Sequence, residues 1–323
     1  MSKKNIKWGI IGLGKIAHKF ATDLMTIENA ELYAVASRSQ ENANEFAEKY
    51  NAVKAYSSYE NLAKDPQVNA VYIATPHSFH AAHSILCMQH KKAVLCEKPF
   101  AMNLQEVEKM ITVSKEHNVL LMEALWTYFL PHYQYVLDVF RSKKFGELKE
   151  LKADFGFQPE YNPEGRLLKK QVGGGSLLDI GIYPIFAALS TLGTPKSIEA
   201  NAAFFDTGAD SECNLVFNYQ DAKAYLKSTL LEDTKTEAIF TFENAVVIIN
   251  TMFHQPSTVT IIKDNKEEVV DFDYKTIGYN FEAEHFNQLL RANKKESDVM
   301  TFEFSRKLIK LLDEVREKIG LEY

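Results

Sequence analysis

Cysteine is scarce in this chain: Cys87, Cys96 and Cys213 are the only three in 323 residues. They are odd in number and form no CxxC pair, which excludes a disulfide framework and points to a reducing compartment, so the protein is expected in the cytoplasm. No HExxH, EF-hand loop or Cys/His cluster occurs, and no metal is implied. A G-x-S-x-G element and a Walker loop are also missing, which removes two common hydrolase designs. No apolar run reaches the ~18 residues of a membrane span. The opening Met1-Ser2-Lys3-Lys4-Asn5 is basic, yet it leads into a glycine-broken strand rather than the continuous apolar region of a signal peptide. Positive charge is not in excess either. Lys and Arg number 37 against 43 Asp and Glu, a net charge of −6, so nucleic acid and anionic membranes are not expected partners. There is no repeat, low-complexity tract or long linker.

What remains is an ordinary globular composition, 46% hydrophobic and 25% charged. At about 150 residues per domain the length predicts two domains. Over the first ~120 residues short apolar runs alternate with helical patterns. Strands are predicted at 6–11, 32–36, 70–74, 93–96 and 119–122, and helices at 15–27, 41–50, 79–89 and 104–117. That alternation predicts a parallel sheet covered by helices on both faces. Beyond residue ~145 the period changes to two. Leu151, Ala153, Phe155 and Phe157 alternate with polar residues, as do Ile198, Ala200, Ala202 and Phe204. Further extended runs are predicted at 222–230, 239–242, 245–249, 259–262 and 267–272. They imply a large, mainly antiparallel open sheet. One helix interrupts it at 176–192, and an amphipathic helix closes the chain at 302–319. The expected division is residues 1–123 and 124–323, with helix 302–319 a candidate to pack back on the first domain.

The first strand runs into Gly12-Leu13-Gly14-Lys15-Ile16-Ala17, a G-x-G-x-x-A loop. Gly12 permits the tight turn, Gly14 lets the backbone approach a pyrophosphate, and small Ala17 allows close helix–strand packing. Lys15 and Ile16 then open a helix whose free N–H groups attract phosphate. With a strand before it and a helix after it, the loop predicts a doubly wound Rossmann domain that binds a dinucleotide. Where the second strand ends, an NAD site usually carries Asp or Glu for the ribose 2′-hydroxyl. Here the sequence is Ser37-Arg38-Ser39, and Arg38 with Ser37 suits a 2′-phosphate. NADP(H) is therefore expected over NAD(H). The alternative is a solvated Arg38 in an NAD enzyme.

Three further segments are distinctive: Ala74-Thr75-Pro76-His77-Ser78-Phe79-His80, Cys96-Glu97-Lys98-Pro99-Phe100-Ala101, and Gly173-Gly174-Gly175-Ser176-Leu177-Leu178-Asp179-Ile180-Gly181-Ile182-Tyr183-Pro184. Lys98 follows a strand and precedes a proline, so its backbone is held extended at the sheet edge where open α/β folds bind ligands. Asp179 and Tyr183 are four apart and share a helix face. Bland readings stand beside these: a surface lysine in a turn, a variant Ser176-x-x-Asp179 capping box, and a Tyr183 at the rim of the core.

Taken with the glycine loop, these segments resemble the glucose–fructose oxidoreductase/inositol dehydrogenase family. Glu97-Lys98-Pro99 is similar to that family's hallmark triplet. The stretch through Tyr183, with Glu123-Ala124-Leu125-Trp126-Thr127, looks like its dihydrodiol dehydrogenase and D-xylose dehydrogenase branch. The resemblance spans the whole chain. It implies that Lys98, Asp179 and Tyr183 surround the reacting carbon, with Tyr183 shuttling the proton. It places Thr75, Pro76, His77, His80 and Glu97 with the cofactor, and Trp126, Phe155 and Tyr183 at the substrate. Where many relatives have His, this chain has Tyr183. Where many have Asn, it has His77, and Tyr128 stands where the branch usually has Arg. The implied activity is hydride transfer between nicotinamide and a secondary alcohol or carbonyl of a sugar, polyol or cyclic diol. Another small carbonyl substrate, or a non-catalytic NADP-binding sensor, is the alternative. A homodimer or larger homo-oligomer through the second domain's sheet is also expected.

Overall fold

The computed structural model describes residues 5–323, and the basic residues 1–4 lie outside them. Ile6–Ile11 forms β1, an apolar run with Trp8 wholly buried, as a strand covered on both faces requires. The chain continues through α1 (Lys15–Leu24), β2 (Ala30–Ala36), α2 (Gln40–Tyr50), β3 (Lys54–Tyr56), α3 (Tyr59–Lys64), β4 (Ala70–Ile73), α4 (His80–Gln89), β5 (Ala93–Glu97), α5 (Leu104–His117) and β6 (Leu121–Ala124). The strands pair in parallel in the order β3-β2-β1-β4-β5-β6. Between β1 and β4 the order reverses, and doubly wound sheets bind ligands at such a switch point. β3 and α3 were not foreseen. Each is too short to show a hydrophobic period.

The next elements are α6 (Pro131–Arg141), with proline at its first position, and β7 (Leu148–Gly156). The predicted helix over 176–192 is present in two parts. A π-helical turn occupies Leu177–Gly181, and α7 follows over Ile182–Leu192. Pro184 has no N–H for the Ile180 carbonyl and its ring crowds that position, so the preceding turn widens. The sheet strands are β8 (Ser197–Phe204), β9 (Asp210–Asn218), β10 (Lys223–Thr229), β11 (Ala238–Phe242), β12 (Val246–Ile249), β13 (Val259–Lys263) and β14 (Lys266–Val270). They lie in the order β14-β13-β12-β11-β7-β10-β9-β8, antiparallel apart from the β7–β10 pair. β9 escaped the sequence pattern because polar Asp210 and Ser211 are buried at its start. Contrary to the expectation that no apolar run reaches membrane-spanning length, the stretch 170–192 is long and apolar enough to cross a membrane, but 94% of the apolar 18-residue window within it is buried inside the protein, the pattern of a core helix.

Two helices complete the chain, α8 (Tyr279–Arg291) and α9 (Phe302–Ile319). The chain up to Trp126 together with Lys275–Arg306 forms one compact unit, and Thr127–Tyr274 with Lys307–Tyr323 forms the other. Residues 275–306 thus return to the Rossmann unit, whereas the sequence pattern had put 124–323 in the second domain with only helix 302–319 a candidate to pack back. Asp23 on α1 explains the return. Its buried carboxylate accepts from the N–H groups of Ile277, Gly278 and Tyr279 at 3.1, 2.7 and 2.8 Å, capping α8 from a distant part of the chain. Trp8 adds a 3.0 Å bond from its indole N–H to Asn287. The first residues of α9, to Arg306, group with the first unit and the remainder with the second.

Candidate active site

In the first unit the glycine loop fits a pyrophosphate. Gly12 has φ +88°, and a Cβ there would lie 2.7 Å from the Ala74 carbonyl, so neither the backbone nor the space admits a side chain. A Cβ at Gly14 would meet nothing within 4 Å, which leaves that face open to a ligand. No side chain caps α1, so its first N–H groups point at the same opening, where Lys15 and Ile16 are exposed. Arg38 is exposed, and its charge reaches Tyr59 and His83: burial raises the pKa of Tyr59 with Arg38 opposing, whereas burial lowers that of His83 with Arg38 adding to the fall. Ser37 Oγ accepts from the Ser39 N–H at 3.2 Å, and Ser39 caps α2. Both hydroxyls therefore keep their own protons available for a phosphate oxygen. His83 lies 3.1 Å from the Thr75 hydroxyl. Tyr59 and His83 belong to this corner although no motif marked them.

The Lys98 turn is held through several of its polar backbone groups. The Lys98 N–H donates to Glu97 Oε2 at 3.1 Å, and the Phe100 N–H donates to Glu123 at 2.9 Å. Tyr72 donates a short bond to Glu97. His80, fully buried, sets one ring nitrogen 2.8 Å from the Pro99 carbonyl and the other 2.8 Å from the Thr75 carbonyl. Burial pushes its pKa down to about 4, while the two carbonyls favour the doubly protonated ring. His80 thus ties the Thr75-Pro76-His77 segment to the lysine turn, and His77 packs beside it at 5.6 Å between ring centroids. Glu123 is buried on β6 and also accepts from Ser305 at 2.7 Å. Burial raises its pKa to about 7, with Glu97 adding to the rise.

In the second unit Asp179 lies in the π-helical turn and Tyr183 in the first turn of α7, and both are buried. The capping-box reading is not what the turn shows. Ser176 donates instead to Asp210 at 2.7 Å, and Asp210 also accepts from the Leu177 N–H at 2.6 Å. Asp179 is gripped by Arg166 through a two-pronged contact of 2.9 and 3.3 Å. The Tyr183 ring lies 5.7 Å from Phe155 and 4.9 Å from His254, and Phe155 stacks on His254 at 4.2 Å. The loop bearing His254 is fixed by a 2.6 Å bond from the Thr127 hydroxyl to its carbonyl.

The first unit therefore gathers Gly12, Gly14, Ser37, Arg38, Thr75, Pro76, His77, Glu97 and Lys98 at the C-terminal ends of β1, β2, β4 and β5. The second gathers Phe155, Asp179 and Tyr183. Trp126, expected with Phe155 and Tyr183, stacks at 4.2 Å on Tyr279 within the first unit. Arg166, His254 and Glu123 were not singled out from sequence. Arg166 lies seven residues before the glycine run, and only its through-space partner marks it.

Residues 6–125 match an oxidoreductase family with an NAD-binding Rossmann fold, and residues 133–258 match the GFO/IDH/MocA C-terminal domain. The chain is 34% identical to trans-1,2-dihydrobenzene-1,2-diol dehydrogenase of Xenopus tropicalis, over 98% of this chain and 99% of that protein. It is 35% identical to the NADP(+) scyllo-inositol 2-dehydrogenase of Bacillus subtilis, over 98% of both. Among solved structures it resembles a 3-ketoreductase from Actinomadura kijaniata in complex with NADP and TDP-benzene. The TM-score is 0.86 at 27% identity, covering 98% of each chain.

Proposed function

The chain belongs to the GFO/IDH/MocA oxidoreductase family, and from that premise we propose that it is an NADP-dependent dehydrogenase or reductase of a sugar, polyol or cyclic diol, acting on a secondary alcohol and its carbonyl form. The observation that carries this reading is the cluster around Tyr183. A phenol is set among Phe155 and His254, four residues from an Asp179 held by Arg166. Apolar rings with a few fixed polar groups suit a small polyhydroxylated ring. Bound nicotinamide supplies the redox partner for the substrate carbon. Gly12, Gly14 and the N-terminus of α1 hold its pyrophosphate, and Arg38 with Ser37 holds the 2′-phosphate. Thr75, Pro76, His77 and His80 shape the floor at the switch point. Tyr183 takes the hydroxyl proton in oxidation and returns it in reduction, Lys98 supplies the positive charge that turnover needs, and Asp179 orients a substrate hydroxyl.

Three buried free cysteines, with burial raising the thiol pKa of each, fit work in the reducing cytoplasm. The second unit's open sheet face is the surface through which we expect a homodimer. Replacing Tyr183 by Phe tests the chemistry. kcat should fall by ~10²–10⁴ while NADPH binds nearly as before. Unchanged turnover in Tyr183→Phe places the base elsewhere. No turnover of any sugar, polyol or diol by the intact protein, with NADPH still bound, favours a sensor.

A further inference from the structure

We propose that Arg166 is a positioning residue of this site, whose guanidinium fork fixes the Asp179 carboxylate and cancels its charge toward Tyr183. The inference rests on the reading of Tyr183 as the proton-moving group.

The contact is two-pronged, Nη1 to Oδ1 at 2.9 Å and Nη2 to Oδ2 at 3.3 Å, the geometry that sets Arg apart from Lys. The surrounding backbone is shaped to make it. Residues 166–169 fold back over the start of the helix, and their carbonyls are met by the glycine run. The Gly175 N–H bonds Leu167 O at 2.8 Å, and the Gly174 N–H bonds Lys169 O at 3.1 Å. A Cβ on Gly174 would stand 2.6 Å from the Arg166 carbonyl. Gly175 has φ +125°, and a Cβ there would reach within 2.0 Å of Asp210 Oδ1. Gly174 and Gly175 thus let segment 166–170 lie flat against the turn that carries Asp179. Asp210 serves the helix N-terminus, so Asp179 is not committed to capping. Its side chain is 11% exposed, against 45% for Arg166, which places the fork at the mouth of the turn.

The charge of Asp179 is what makes the fork necessary. Asp179 and Tyr183 lie four residues apart across the junction of the π-helical turn and α7, and both are buried. A bare carboxylate there disfavours phenolate, and a phenol that must give up its proton near neutral pH is badly served by it. Pairing with Arg166 keeps the carboxylate's acceptor oxygens fixed and removes most of its field.

The test uses the full chain as wild type, Arg166→Met, Arg166→Lys, Asp179→Asn and the Arg166→Met/Asp179→Asn double variant, each also with Tyr183→Phe. Two readouts are taken: the Tyr183 ionisation, from the ultraviolet difference titration of each protein against its Tyr183→Phe partner, and the pH profile of kcat with NADP. Arg166→Met should move the ionisation up by roughly one pH unit or more and cut kcat at pH 7 by about tenfold. The double variant should bring the ionisation back to within about half a unit of wild type. Arg166→Lys should keep the ionisation but lose about three- to tenfold in kcat, because an ammonium cannot make the fork. Should Arg166→Met fail to fold, Arg166→Gln takes its place in the same cycle. An ionisation unmoved by loss of Arg166, or not restored in the double variant, overturns the proposal. Normal turnover in Tyr183→Phe instead overturns the reading of Tyr183 as base, and the titration still decides the coupling to Arg166.

Discussion

Arg38 stands at the end of β2, where a carboxylate would accept from a ribose 2′-hydroxyl and repel a 2′-phosphate. A guanidinium reverses both effects. It is exposed, with Ser37 beside it and Tyr59 and His83 within reach of its charge. The half-buried ring of His83 is pushed toward its neutral form by partial burial and by Arg38, so Arg38 carries the charge of this corner. NADP(H) should therefore bind at least ~10-fold tighter than NAD(H), equivalent to about 1.4 kcal/mol. Arg38→Ala should erase most of that preference by weakening NADP(H) alone. Equal dissociation constants for the two cofactors in the wild type, measured by fluorescence titration, would contradict the assignment.

The turn after β5 is held by groups that titrate, and this makes its stability depend on pH. Glu123 accepts from Phe100 in the turn and from Ser305 at the start of α9. Its folded pKa is raised to about 7 from 4.5. Between those values the folded chain holds a proton that the unfolded chain has released, so this group's contribution to stability declines as pH rises from about 4.5 to about 7. At about 1.4 kcal/mol per pKa unit the full penalty above pH 7 is on the order of 3 kcal/mol. Glu123→Gln is neutral throughout and should unfold at a higher temperature than wild type at pH 8, with no gain at pH 5. Buried His80 and His132, each lowered to about 4, destabilise the fold on acidification, but equally in both proteins, so they cancel in the comparison. A gain of equal size at both pH values would show that the effect is packing rather than charge. The same elements mark how far sequence carries. β1, β4 and β5 were legible because buried parallel strands leave mostly apolar runs, interrupted here only by Lys7 and Gly9 in β1 and Glu97 at the end of β5, and Gly12, Lys98, Asp179 and Tyr183 because each lies in a distinctive local string. α8 was not, since its N-terminal cap, Asp23, comes from the other end of the chain. Arg166 and His254 carry no local signature, and only their partners in space identify them; Glu123 lay in a segment that carried the resemblance, but its hold on the lysine turn shows only in its hydrogen bonds.

At the scale of the whole molecule, the second unit's sheet leaves one face without helices. Register across the strands sets a single row on that face, in which Glu199, Val216, Tyr225, Lys152, Ile239, Ile248, Thr260 and Val269 stand side by side. Inward-facing Leu151, Ala153 and Phe155 occupy the opposite side of β7 and are buried. Five of the eight row residues are apolar or aromatic, and Tyr225 and Val269 are 39% and 58% exposed. Over part of the row lies an open hollow of about 570 Å³, lined by Glu199, Val216, Tyr225 and Lys152 of the row together with Asp154, Asn201, Asn214 and Lys227. The face is thus more mixed than a purely apolar patch, with Lys227 already paired to Glu212 at 3.2 Å and Glu232 at 2.7 Å. Eight strands at ~4.8 Å spacing span about 38 Å, and strands of this length give roughly 800 Å² of face. That is about what each partner contributes to a stable interface. A two-fold pairing would bring the same row of each copy together, burying the apolar residues twice over with a polar rim around them. We therefore expect a dimer mass by light scattering at micromolar concentration. Tyr225→Glu places two like charges in the centre of that contact, because each copy contributes one, and should shift the protein to monomer while leaving its far-ultraviolet spectrum unchanged. A monomeric wild type, or a dimer indifferent to Tyr225→Glu and Ile239→Lys alike, would mean that this face is solvent-exposed in the working protein.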